Sequence, residues 1–154
     1  MELRTGELLV APALTDTDET TRIRAVSDGT LRILMAEDNM INQKVGRLIL
    51  QRAGFNIDLV GDGNEALEAH RTKPYDLILM DCQMPTMDGF EASRQIRQLP
   101  QPQPVIIAVT ANALVGERER CLNAGMDDYL SKPFQAEQLV GVVKKWAAKA
   151  LDRR

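Results

Sequence analysis

The chain of 154 residues has two cysteines, one histidine and no apolar run long enough to cross a membrane, and each shortage closes off a class of function. Cys82 and Cys121 form no staple pattern, so a disulfide-built secreted domain is not expected and a reduced, cytoplasmic chain is. No charged n-region followed by an apolar h-region opens the sequence, so any membrane attachment is left to a parent protein or a partner. A formal charge of -3 offers no basic face to nucleic acid. There is no glycine-rich nucleotide loop of the P-loop type. The lone histidine, His70, falls near the end of a helical pattern that lacks the surroundings of a kinase phosphorylation helix, and it is expected to be a solvated surface residue.

What is present is enough apolar material, 44% of the chain, to bury one sizeable core, so a single domain is the default. Residues 1–30 hold six acids and three arginines, and the rest is neutral, with 16 acids against 16 lysines and arginines. That first stretch contains TDTDETT and no sustained periodicity, so residues 1–29 read as a linker or weakly ordered extension. Within it LLVAPAL is compatible with a short extra strand or with the end of an upstream domain. A domain over 30–150 and a short tail over 151–154 complete the expected organisation.

The informative stretch is LILMDCQMPTMDG, from Leu77 to Gly89. Four apolar residues without alternation predict a strand buried on both faces, and it runs into a carboxylate, Asp81. Met84-Pro85 cannot continue it, and Asp88-Gly89 predicts a turn that starts a helix. Leu31 to Ala36 predicts a second buried strand, ending in Glu37-Asp38. Between and after these, strand-like and helix-like segments alternate. Helices are expected from about Met40 to Ala53, with Ile41, Val45, Leu48 and Ile49 at helical spacing, from an Asp62/Glu65 capping box to near His70, and from about Gly89 to Gln98. Two more are expected over Glu117 to Ala124 and Ala136 to Ala150. Phe55 to Val60 reads as an edge strand, Val105 to Thr110 as a buried fourth strand, and Asp128 to Lys132 as a short fifth, stopped by Pro133. Such alternation predicts an α/β fold: a flavodoxin-like (βα)5 doubly wound parallel sheet of order 2-1-3-4-5. Ligands of such sheets sit beyond the carboxyl ends of the strands at the switch point, here between the two strands that end in acids.

The fourth and fifth strands end on Thr110 and Lys132. One sheet edge is thereby expected to carry Glu37, Asp38, Asp81, a hydroxyl and an ammonium, each unremarkable alone but together a composite site. Crowded carboxylates favour a hard divalent cation with oxygen ligands. The segments EDN at 37–39, LMDCQMPTMDG around Asp81, Thr110-Ala111 and Lys132-Pro133-Phe134 together resemble the receiver domain of two-component response regulators. The resemblance covers about Thr30 to Ala150. AEDNxxNQ at 36–43, VTANA at 109–113 and AGMDDYLSKPF at 124–134 are most similar to receivers fused to hybrid sensor histidine kinases.

The resemblance implies that Asp81 is the phosphoacceptor, that Glu37, Asp38, Asp81 and the backbone carbonyl of Gln83 hold Mg²⁺, and that Thr110 and Lys132 contact the phosphoryl group. It implies a donor outside this chain: a phosphohistidine on a histidine-kinase dimerisation domain or a histidine phosphotransfer bundle, docking beside the first helix near Met40, Ile41 and Lys44. Tyr129 matches the family's switching aromatic, and the surface altered would be the fourth helix, fifth strand and fifth helix. Lys132-Pro133 is expected to be a cis peptide. The chain itself would be a phosphoacceptor with its own phosphorylation and dephosphorylation chemistry and no kinase core. A free-standing regulator is the alternative to a hybrid-kinase fragment. An aspartyl phosphohydrolase of DxDxT type fits less well, because Gln83 stands where its second carboxylate belongs. A flavodoxin-like cofactor binder would want a Ser-, Thr- or Gly-rich first loop in place of Glu37-Asp38-Asn39.

Overall fold

Five parallel strands, β1 (Ile33–Ala36), β2 (Ile57–Val60), β3 (Leu77–Asp81), β4 (Val105–Thr110) and β5 (Asp128–Ser131), make one sheet in the order β2-β1-β3-β4-β5. Between and after them run α1 (Met40–Arg52), α2 (Gly63–Thr72), α3 (Gly89–Arg97), α4 (Glu117–Asn123) and α5 (Ala136–Asp152). The computed structural model describes residues 31–112 and 114–154, and the extension expected over residues 1–29 lies outside the described residues.

The unbroken apolar runs of β1, β3 and β4 follow from their covering on both faces. Alternate side chains Leu34, Ile78, Met80, Ile106 and Ala108 meet Ala66, Leu67, Phe90, Ile96 and Cys121 from α2, α3 and α4. The intervening ones, Ile33, Met35, Leu77, Leu79, Val105 and Ile107, meet Leu50 of α1 and Leu139, Val143, Ala147 and Ala150 of α5. Register puts Ala36 beside Met80 and Asp81 beside Val109, so the strands that carry the acids end close together.

Local chemistry sets the ends of these elements. Asn39 caps α1 by accepting the Asn42 N–H at 3.0 Å, and Gly54 (φ 96°) follows its end in the left-handed conformation that a side chain would resist. Asp62 caps α2 by accepting the Glu65 N–H, but the Glu65 carboxylate returns to Gly61 N–H rather than to Asp62, one residue earlier than a capping box. β2 is shorter than expected because Phe55 N–H is taken by Leu50 O at 2.8 Å, which ties Phe55 to the end of α1 instead of the ladder. At the other end of the chain, Leu151 and Asp152, expected to begin a tail, continue α5. Arg153 and Arg154 then donate to the carboxylates of Asp127 and Asp76.

The expectation for the lone histidine fails. His70 is not solvated: it is fully buried, and its Nδ1 accepts the Tyr75 N–H at 3.0 Å. The accepting Nδ1 puts the proton of the neutral ring on Nε2. The apolar stripe of α1 is split between core and surface, with Ile49 packed against the core. Ile41, Val45 and Leu48 are 72%, 46% and 49% exposed, whereas Gly46 and Leu50 are buried. Gly46 lies close to the sheet, where a Cβ would stand 2.5 Å from the flexible end of the Met35 side chain.

Candidate functional site

Beyond the carboxyl ends of β1 and β3, Glu37, Asp38 and Asp81 each bring a carboxylate oxygen within 4.8 Å of the others. Glu37 and Asp81 are buried, and Asp38 is exposed. The strands deliver the buried pair to one point. α1 fixes Glu37 from outside, because Gln43 Nε2 donates to Glu37 O at 2.6 Å and reaches Val60 O at 3.3 Å, while Asn39 N–H donates to Glu37 Oε2.

Lys132 supplies the cation. Its Nζ donates to Glu37 Oε1 and to Asp81 Oδ2, both at 3.0 Å. Burial alone would push this ammonium down, but the hydrogen bonds and charges of Glu37 and Asp81 outweigh it and hold its pKa above the usual lysine value. One residue beyond β5, Lys132 N–H still donates to Thr110 O at 2.7 Å, and the following Lys132-Pro133 peptide is cis.

The loop after β3 is pinned from below. Gln83 N–H donates to Asp81 Oδ1 at 3.1 Å, and Gly89 N–H donates to Cys82 O, so α3 starts directly under the acid. A Cβ on Gly89 would lie 2.2 Å from Asp81 O, which is why this position excludes a side chain. Cys82 N–H donates to Val109 O at 3.0 Å, which ties the start of this loop to β4. Gln83 itself is exposed at the rim of the site.

Thr110 ends β4, and its hydroxyl is bonded to Glu117 and Asn112 rather than to Glu37, Asp38 or Asp81. Its buried hydroxyl donates to Glu117 Oε2 at 2.9 Å and accepts the Asn112 N–H at 3.0 Å. Glu117 was not foreseen as a site residue; following Gly116, it looks like an ordinary acid in the first turn of a helix, yet it is buried next to the thiols of Cys82 and Cys121. Burial pushes both thiols above their ordinary value, so they pack as small apolar groups. Gln43 was likewise missed, although AEDNxxNQ contains it. Tyr129 is half-buried on β5, against the core layer that includes Ala108 and Cys121.

The donor set is therefore three hard carboxylates served by one ammonium, the chemistry that suits Mg²⁺ rather than a soft ion. A cleft of about 410 Å³ adjoins it on the α1 and α5 side, lined by Glu37, Asn42, Val45, Lys132, Pro133 and Phe134 among others.

Comparison with known proteins agrees with this geometry. The response regulator receiver domain family matches residues 33–144. The signal transduction histidine-protein kinase BarA of Escherichia coli K12 is 41% identical over 117 residues, which is 75% of this chain and 13% of BarA. The chain spans only 7% to 17% of the length of the curated relatives it matches. Among solved structures, the receiver domain of a sensor histidine kinase from Pseudomonas aeruginosa PAO1, with magnesium coordinated in its active-site cleft, has 44% identity and a TM-score of 0.71. The match covers 77% of this chain and 98% of that one. A receiver domain of Saccharomyces cerevisiae, crystallised with its histidine phosphotransfer protein, has 29% identity and a TM-score of 0.72 over 78% of this chain and 90% of that one.

Proposed function

The chain belongs to the response regulator receiver family, and from that premise we propose that Asp81 accepts a phosphoryl group from a phosphohistidine on a partner helical bundle. The observation that carries this is the placement of Asp81: a buried carboxylate at the end of the central strand, with Lys132 Nζ on its Oδ2 and two more acids within reach. In the transfer, an Asp81 oxygen forms the new P–O bond as the P–N bond breaks, and the imidazole keeps the electron pair.

Glu37, Asp38, Asp81 and the Gln83 carbonyl would hold Mg²⁺. The ion would supply positive charge to offset the acidic cluster and the transferring oxygens. Lys132 sits where its ammonium can move from Glu37 and Asp81 to a phosphoryl oxygen, and Thr110 offers its hydroxyl to another. The release of Thr110 from its present partner, with Tyr129 following into the vacated space, is the switch we assign to the α4-β5-α5 face.

The donor surface we assign is the exposed stripe of α1. Met40 and Ile41, at 69% and 72% exposure, open the helix that follows Glu37-Asp38-Asn39, and Val45 and Phe134 line the adjoining cleft. An apolar patch next to a charged centre suits a helical bundle that brings its phosphohistidine over Asp81. The relatives support an origin within a hybrid sensor histidine kinase, acting at the cytoplasmic side. No helix among the described residues is long and apolar enough to cross a membrane.

Incubation with acetyl phosphate and Mg²⁺, followed by mass spectrometry and mapping, tests the reading. Modification of Asp81 alone is expected, abolished in Asp81→Asn and by a chelator. Undiminished phosphorylation under either condition refutes it.

A further inference from the structure

We propose that Glu117 is a positioning residue for Thr110: its buried carboxylate holds the Thr110 hydroxyl away from the phosphoryl position at rest and must surrender it when Asp81 is phosphorylated. The inference rests on the phosphoacceptor reading above and assigns the opposing partner of the exchange.

The Thr110 hydroxyl has a single proton. Two acceptors lie in reach, Glu117 Oε2 at 2.9 Å and Asn112 O at 3.3 Å, and the carboxylate is both nearer and the stronger acceptor. A hydrogen bond from Thr110 to a phosphoryl oxygen needs the same proton, so the two bonds exclude each other. The loser is poorly placed to absorb the loss. Glu117 is 7% exposed, with Cys82 and Cys121 as its other close neighbours, and among the described residues the Thr110 hydroxyl is the only side chain that donates to its carboxylate. A buried carboxylate stripped of its donor is costly, and rotation outward to water relieves it.

The chain is built to yield at that point. α4 starts without a side-chain cap, at Gly116 in a left-handed conformation (φ 95°) with open space on its Cβ side. Leu114 and Val115 just before it are 71% and 106% exposed, so few packing contacts hold the turn. Eviction of Glu117 therefore carries the first turn of α4 with it, and the event at Asp81 reaches the α4 surface through one exchanged proton donor.

If Glu117 competes for Thr110, its removal favours the phosphorylated form; if it only completes the loop, its removal weakens fold and phosphorylation together. The test uses the full chain with acetyl phosphate and Mg²⁺, following the phosphorylated fraction by intact mass for wild type, Glu117→Ala, Glu117→Gln, Thr110→Ala and the Thr110→Ala/Glu117→Ala pair. Glu117→Ala is expected to raise the phosphorylation rate by roughly fivefold, less than a full hydrogen bond to a charged acceptor because the loop can find other partners. Glu117→Gln, a weaker acceptor of the same shape, gives a smaller rise and carries the test if the alanine variant unfolds. In the Thr110→Ala background the gain disappears, since Glu117 acts only through that hydroxyl. Hydrogen exchange at the α4 amides rises on phosphorylation of wild type and is already raised in unphosphorylated Glu117→Ala. An unchanged or lower rate in both Glu117 variants, or an equal rise without Thr110, overturns the proposal. Wild type that takes no phosphoryl group on Asp81 overturns the earlier reading and this one with it, whereas normal wild-type phosphorylation with unresponsive Glu117 variants overturns only this one.

Discussion

Lys132→Ala removes the only ammonium that bridges Glu37 and Asp81 among the described residues and leaves two buried carboxylates, with Asp38 close by, facing one another. At 4.8 Å and an effective dielectric near 20, one such pair repels by about 3 to 4 kcal/mol. Lys132 retains 22% side-chain exposure, so water screens part of this, and a loss of about 2 to 3 kcal/mol of stability is expected, the lower edge of what breaking a buried pair costs. A domain of ordinary stability survives that loss, so the variant folds. The sign with pH is fixed by the raised lysine pKa: its contribution is complete below the ordinary lysine value and is lost only as pH rises through the raised one, so neutral pH shows the full effect. Two features separate this from a generic packing defect. Asp81→Asn in the Lys132→Ala background recovers stability by removing one of the opposed charges. Mg²⁺ stabilises the variant more than wild type, because no ammonium competes for the same oxygens. Urea denaturation at neutral pH, with and without Mg²⁺ at matched ionic strength, reads all three. A Lys132→Ala chain as stable as wild type, or one that neither Mg²⁺ nor Asp81→Asn rescues, refutes the electrostatic account.

Burial holds the His70 pKa below its ordinary value of 6.5, so the folded chain binds fewer protons there than the unfolded one. Its contribution is complete above that value and is lost as pH falls from there toward the lowered pKa, by up to about 1.4 kcal/mol per pH unit; urea melts at stepped pH should show this slope in wild type and a flatter one in His70→Gln. Gly89→Ala should cost about 1 to 3 kcal/mol and slow phosphorylation of Asp81, because the new methyl displaces the backbone that carries the acid; normal stability and rate together would contradict the contact. A chain beginning at Thr30 is expected to fold and accept phosphate like the full one, since the acidic, aperiodic residues before it offer little apolar surface to offset the entropy of ordering them. A large drop in melting temperature or a new oligomeric state on their removal would show otherwise.

The sheet and the acidic centre were legible because each depends on a short stretch. A run such as Leu77 to Met80 announces a strand covered on both faces, and an acid directly after it marks the strand's carboxyl end; the alternation of elements then brings those ends together. What stayed hidden depends on contacts between distant residues. Nothing around His70 distinguishes a helix-end histidine in water from one whose Nδ1 accepts the Tyr75 amide. Arg97, which joins Gly125 O and Asp127, and Arg153, which meets the same Asp127, look like ordinary solvated charges until the fold assembles them. Glu117 was obscure for a sharper reason: the rule that favours an acid in the first turn of a helix explained it too easily.

Helix α1 shows where a local rule stops short. Periodicity says which residues share a face; it does not say which face turns inward. In α1 the inward positions include Gly46, which contributes nothing to an apolar stripe yet lies against the end of the Met35 side chain. With Gly46 and Leu50 facing the sheet, Ile41, Val45 and Leu48 must face outward, at a standing cost in exposed apolar surface. A helix serving only the core could carry polar residues at those positions at no loss to packing. Their exposure, with Val45 lining the cleft next to Glu37, is accordingly the part of α1 that the core does not explain and that docking of a phosphodonor would.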